Sequence, residues 1–154
     1  LNACIGLAIS GIDGDGEVVE KLRSSLLSIQ SRSFDLGADL ATPEGARNSD
    51  KVGRIDDADV AVLEGLIDHY QAAAPEIRCF VLPGGCELAA RLHIARTVCR
   101  RAERLMVHLN HAETVTPEAI RWVNRLSDLL FAMSRAANHA AGLEDVPWKP
   151  KGGG

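Results

Sequence analysis

The sequence predicts an all-α protein, and three observations carry that expectation. Aromatic residues make up only 4% of the chain while Ala, Leu and Arg are abundant, a balance that suits helix packing better than the β-branched and aromatic surfaces of sheets. Apolar residues recur at steps of three and four through most of the chain, the period of an amphipathic helix. The runs are interrupted at Gly and Pro, notably at residues 11–16, 43–45, 75, 83–85 and 142. With 154 residues, 46% of them hydrophobic and 25% charged, residues 1–154 read as a single domain with material for a sizeable core.

The first helix spans residues 1–10 and keeps Leu1, Ile5 and Ala8 on one face. Gly11-Ile12-Asp13-Gly14-Asp15-Gly16 then forms a turn, and it lacks the downstream ligands and closing Glu of a calcium loop. A second helix runs from residue 17 to about 33 on Val19, Leu22, Leu26 and Ile29, and residues 34–43 either extend it or open a loop. Pro43, Gly45 and the polar run to Asp50 predict an exposed loop. The third helix covers residues 57–74, with Val60, Leu63, Ile67 and Tyr70 facing inward.

Phe80-Val81-Leu82-Pro83-Gly84-Gly85 is an apolar approach to a turn. The longest helix follows at residues 87–109, about 35 Å long at ~1.5 Å per residue. Its stripe is Leu88, Leu92, Ala95, Cys99, Ala102, Met106 and Leu109. Thr116 as N-cap, Pro117 at the first helical position and Glu118 in the first turn announce a fifth helix. That helix has a core stripe of Val123, Leu126, Leu130, Met133, Ala137 and Ala140, and it ends at Gly142. The tail, residues 146–154, is not helical. Five helices joined mostly by short turns pack most economically as an antiparallel, ferritin-like up-down bundle.

Composition excludes several function classes. A formal net charge of −4 gives no basic footprint for nucleic acid or an anionic membrane. No apolar run of about eighteen residues exists to span a bilayer, and no basic-then-apolar leader opens the chain. Cys4, Cys79, Cys86 and Cys99 form no CxxC pair, so they are expected to be reduced thiols in the cytoplasm, with no zinc. Hydrolase triads, HExxH and the Walker pattern are absent, and none of the five histidines is assigned as ligand or base.

Two polar flanks exceed what a plain bundle needs. On the fourth helix Arg96, Arg100 and Glu103 project within about 60° of one another beside the apolar stripe. Either this is a salt-bridged solvated face, or two guanidinium forks are set to grip a polyphosphate while Glu103 holds one of them. On the fifth helix Asn124, Asp128, Phe131, Arg135 and Asn138 share a flank at steps of four and three. They belong either to a bundle or oligomer contact or to a site in which Asn124 reads a nucleobase or ribose and Asp128 pairs with an Arg from a neighbouring helix or subunit.

Phe80-Val81-Leu82-Pro83-Gly84-Gly85, then Arg96-Thr97-Val98-Cys99-Arg100-Arg101-Ala102-Glu103-Arg104, then Asn124-Arg125-Leu126-Ser127-Asp128-Leu129-Leu130-Phe131 resemble the PduO-type ATP:cob(I)alamin adenosyltransferases in order and spacing. Leu36-Gly37-Ala38-Asp39-Leu40-Ala41-Thr42-Pro43 and Trp148-Lys149-Pro150 extend the resemblance over nearly the whole chain. The resemblance implies a five-helix bundle that forms a homotrimer in the cytoplasm, with ATP and cobalamin bound between subunits and Mg²⁺ on the triphosphate. It implies that Arg96 and Arg100 hold the phosphates, that Glu103 orders them and that Asn124 and Asp128 lie on the nucleotide side. Phe80 and Phe131 would line the corrin side, with Phe80 helping to displace the lower axial ligand of cobalt. A corrinoid reductase and an adenosylcobalamin-dependent enzyme are the implied partners.

The sequence departs from the family pattern at its start. Leu1 is not Met and already reads as helical, and only Leu1-Asn2 of the family's Asp-Glu-Leu-Asn segment is present. Most of the phosphate-enclosing loop, and the acidic partner expected for Arg96, therefore fall outside this sequence. The competing expectation is a non-catalytic helical oligomer that binds nucleotide or corrinoid as a sensor or carrier.

Overall fold

A computed structural model describes residues 1–43, 45–47 and 49–151. Its helices are α1 (Asn2–Ile9), α2 (Glu17–Ala41), α3 (Asp57–Ala72), α4 (Glu87–Leu109) and α5 (Pro117–Ala140), with a single 3₁₀ turn at Ser49–Lys51. The all-α bundle predicted from periodicity is the observed architecture. Helix α5 lies at its centre, packed by α4 on one side and α3 on another, while α1 bridges α4 and α2. Every residue from 132 to 138 is buried, which an amphipathic stripe alone cannot produce. Small residues at Ala132, Ser134, Ala136 and Ala137 let neighbouring helices approach α5 from several directions. Trp122 and Leu129, outside the predicted stripe, are buried for the same reason.

The undecided stretch after residue 33 continues α2 through Ala41. Leu36 and Leu40 carry the apolar stripe forward, and Asp39 is turned inward with 4% of its surface exposed. Its carboxylate accepts from Arg54 Nη1 at 2.7 Å, the Ile55 backbone N–H at 3.0 Å and Thr116 Oγ1 at 3.2 Å. A buried carboxylate is tolerated only with such partners, and these join the end of α2 to the entries of α3 and α5. Thr116 does occupy the N-cap position of α5, but its hydroxyl serves Asp39 and makes no cap bond. A side-chain cap does form on α3, an Asp56/Asp59 capping box and an Asp-for-Glu version of the usual pattern.

Helix α3 ends two residues short of the expected boundary, at Ala72. Leu109, assigned to the core stripe of α4, is 37% exposed because it lies in the last turn, beyond Met106. Of the expected loop at 43–50, residues 44 and 48 lie outside the described residues, as do 152–154 of the tail. All four cysteines are free. Cys99 is buried, and its thiol donates to the Val123 carbonyl at 3.2 Å. Burial pushes this thiol up to about 12.

After α5 the tail returns across the segment before α4. Leu82 N–H donates to the Val146 carbonyl at 2.8 Å and Trp148 N–H to the Phe80 carbonyl at 2.7 Å, giving an antiparallel bridge between Val81 and Pro147. Arg135 and Asn138, for which the sequence left open a bundle contact or a site, are buried and make the bundle contact, holding this return in place. Arg135 Nε donates to Asp145 at 2.8 Å. The Asn138 amide donates to Gly84 O and Asp145, each at 3.1 Å, and accepts from Cys86 N–H at 2.9 Å. Gly85 sits against that amide with φ +106°, and a Cβ there would lie 2.0 Å from Asn138 Oδ1. Gly85→Ala is therefore expected to destabilise the fold by about 2–3 kcal/mol, from backbone strain and loss of buried hydrogen bonds. Urea denaturation should show a lower midpoint with an unchanged slope; an unchanged midpoint would refute the close approach.

Candidate functional site

The start of α4 is fixed by Cys86, whose sulfur accepts from Ala89 N–H at 3.4 Å. From there the helix carries His93, Arg96 and Arg100 at steps of three and four along the side that meets α5. The Arg96 guanidinium carbon lies 5.4 Å from the centroid of the Phe131 ring, a cation–π contact between α4 and α5. His93 is buried one turn earlier, 6.2 Å from the same ring. Burial, reinforced by the Arg96 charge, lowers its pKa below the ordinary histidine value, so the imidazole is neutral near pH 7.

These residues form one wall of a cleft of about 540 Å³, closed on the other side by Ile77, Phe80 and Pro83. Phe80 is 78% exposed, a costly position for an aromatic ring unless something covers it. Its ring meets Trp148 edge-on, 6.2 Å between centroids. The cleft is lined mainly by aromatic and aliphatic side chains, with Arg96 and Arg78 as the cations on its wall and a neutral imidazole behind.

One turn further along α4 the chemistry becomes polar. Glu103, with 13% of its side chain exposed, pairs through one carboxylate oxygen with Arg100 and through the other accepts from Asn124 Nδ2 at 2.8 Å. Asn124 Oδ1 accepts in turn from Arg125 at 2.7 Å, and Arg125 also pairs with Asp128 at 2.9 Å. The Asn124 amide is thereby fixed in orientation, with one N–H and one lone pair left for an outside partner. Arg100 keeps 42% of its side chain exposed and retains unused donors.

The predicted residues are thus adjacent but divided between two environments. Arg96, Phe131 and Phe80 line the apolar cleft, while Arg100, Glu103, Asn124 and Asp128 form the polar network. Asp128, expected to pair with an Arg from a neighbouring helix or subunit, instead finds Arg125 one turn away on its own helix. His93, Arg125 and Trp148 were not assigned from sequence. Arg125 stood inside a quoted motif, and Trp148 was conspicuous as one of only two tryptophans.

A family model described as cobalamin adenosyltransferase matches residues 1–137. The corrinoid adenosyltransferase of Bacillus subtilis is 42% identical over 149 residues, spanning 97% of this chain and 75% of that protein. The corrinoid adenosyltransferase of Mycobacterium tuberculosis is 43% identical over 153 residues, spanning 98% of this chain and 76% of that protein. Among solved structures, a variant of the PduO-type ATP:corrinoid adenosyltransferase from Lactobacillus reuteri, complexed with cobalamin and ATP, superposes with a TM-score of 0.86 at 34% identity. That match covers 97% of this chain and 80% of the other. The helical framework, the placement of the site motifs and these similarities agree, and the chain belongs to the cobalamin adenosyltransferase family.

Proposed function

We propose that this protein transfers the 5′-deoxyadenosyl group of ATP to the Co(I) centre of a reduced corrinoid, giving an adenosylcorrinoid and triphosphate. The observation that carries the reading is the junction on α4 and α5 of an apolar aromatic cleft with an arginine-bearing polar network. An extended apolar macrocycle suits the first and a polyphosphate the second.

Co(I) is a strong nucleophile that needs no general base. Its electron pair forms the Co–C5′ bond while the C5′–O5′ bond breaks and the released pair goes to the triphosphate. The protein must therefore align C5′ with cobalt and stabilise charge on the leaving group. Arg96 and Arg100 take the second task. Glu103 holds Arg100 in place, and Asn124, fixed between Glu103 and Arg125, offers its remaining donor and acceptor to the nucleotide. Asp128 restrains Arg125 on the nucleotide side. Mg²⁺ would enter with the triphosphate, whose charge it neutralises.

Phe80 and Phe131 face the corrin. Before transfer, a reductase must give one electron to Co(II), and an apolar wall that excludes the lower axial ligand makes that electron easier to accept. The 78% exposure of Phe80 fits a ring held ready for a ligand rather than a core residue. No helix of the described residues is long and apolar enough to cross a membrane, and the chemistry requires the ATP and reducing conditions of a compartment such as the cytoplasm. The half-open Arg100 and the uncovered Phe80 support a homotrimer in which a neighbouring subunit closes each site. An adenosylcobalamin-dependent enzyme would receive the product.

Three measurements test this reading. Arg100→Ala is expected to keep the bundle folded and to lose about 1.5–3 kcal/mol of transition-state binding, roughly 10- to 150-fold in kcat/KM for ATP. Near-normal turnover at low ATP would remove Arg100 from the site. Phe80→Ala should slow product formation from cob(II)alamin with a mild reductant, and substantial activity should return with chemically reduced cob(I)alamin. Equal losses under both conditions would contradict the assigned role. Light scattering at micromolar protein should give the mass of a trimer, and a monomer would exclude the shared site.

A further inference from the structure

Phe80 stands outside the core of the bundle, so something else must define where its ring points. Among the described residues its one aromatic neighbour is Trp148, 6.2 Å away with ring planes at 74°. The backbone shows the same dependence. Residues 80–82 are bridged to the tail by backbone bonds from Leu82 N–H to Val146 O and from Trp148 N–H to Phe80 O. Neither partner belongs to α4, the helix that Phe80 precedes.

The segment that carries Trp148 is itself fixed from α5. Asp145 is gripped by Arg135 Nε at 2.8 Å and by Asn138 Nδ2 at 3.1 Å, and Leu143 N–H donates to Asn138 O at 2.9 Å. Arg135 and Asn138 are 6% and 3% exposed, so the anchor is rigid. Three residues later the tail emerges beside Phe80, with Trp148 still 47% exposed. Phe131, on the opposite wall of the cleft, comes from the same helix as the anchor. One helix therefore places one wall directly and the facing wall through the tail.

We propose that Trp148 is a positioning residue for the reaction, holding the Phe80 ring over the corrin-facing cleft by edge-to-face contact while its backbone N–H fixes the Phe80 carbonyl. The proposal rests on the role given above to Phe80 but adds a residue that touches neither cobalt nor nucleotide. The backbone bonds of the bridge can still form after substitution, but without the aromatic contact they open more often. The loss therefore corresponds to one aromatic pair, about 3- to 10-fold in rate.

The test uses full-length Trp148→Ala, Trp148→Phe and Phe80→Ala, alone and as the Phe80→Ala/Trp148→Ala double variant. The first readout needs no ligand. Amide exchange at Leu82 should quicken in Trp148→Ala and stay near wild type in Trp148→Phe, with the urea midpoint of both little changed. In the second, the absorption spectrum of cob(II)alamin bound with ATP should show the lower axial ligand retained in a larger fraction of Trp148→Ala. Turnover from cob(II)alamin should fall about 3- to 10-fold, recovering with cob(I)alamin and with the Phe substitution. The double variant should be no worse than Phe80→Ala.

Wild-type exchange, spectrum and turnover in Trp148→Ala, alongside a selective defect in Phe80→Ala, would overturn the positioning role alone. Wild-type behaviour in both single variants would overturn the reading of Phe80 and this inference with it. Equal losses from Co(I) and Co(II) in Trp148→Ala would assign the residue a general structural role and likewise overturn it.

Discussion

The burial of α5 on several sides is the constraint on which the rest of the molecule depends. A helix at the edge of a bundle can turn its polar residues to water; one at the centre cannot, so each polar group it carries must find a partner in the protein. Arg135 and Asn138 meet that demand through Asp145, Pro75, Gly84 and Cys86. In doing so they fix the two irregular segments that flank the cleft. Further toward the N-terminus of α5, where the helix is less enclosed, Asn124 and Asp128 keep contact with solvent and remain free to meet a ligand. The gradient of burial along one helix thus separates residues that hold the scaffold from residues that face solvent.

The neighbouring chemistry on α4 follows from register. His93, Arg96 and Arg100 lie on the side of α4 that meets α5, so the same packing that buries Leu92 and Cys99 brings the Arg96 guanidinium to the Phe131 ring opposite it, while Arg100 pairs with Glu103 three residues further along α4 itself. Arg96 over Phe131 is partly desolvated, which strengthens its interaction with an anion. Arg100 is paired with Glu103 yet still half open. Their neighbours set them in different surroundings: Arg96 where the polar and apolar regions meet, and Arg100 within the polar network.

Periodicity made the helices legible. Val60, Leu63, Ile67 and Tyr70, or Leu88, Leu92, Ala95 and Cys99, repeat at a spacing that only a helix converts into a face, and all of them are buried. Periodicity cannot show which helix lies at the centre, because Trp122 and Leu129 become core residues only when a third neighbour arrives. It also cannot tell Arg135 from Arg96. Both sit beside an apolar stripe, and the difference is made by Asp145, ten residues beyond Arg135 in a tail with no periodic signal. The same limit hid the destination of the Thr116 hydroxyl, since its partner Asp39 is 77 residues away in sequence. Site motifs were readable as groups of residues, whereas the division of labour within them required the fold.

The cysteines span a range of environments that makes them chemically distinct. Cys99 is enclosed, and its thiol, pushed up to about 12, holds almost no thiolate at neutral pH. Cys86 is engaged at the head of α4, and Cys4 is half-buried. Cys79 alone is exposed, and it lines the cleft immediately before Phe80. The sequence therefore places its most accessible cysteine sulfur at the mouth of the apolar cleft, where a small thiol-reactive fluorophore would attach without any engineered residue. Its emission would follow the filling of the cleft directly.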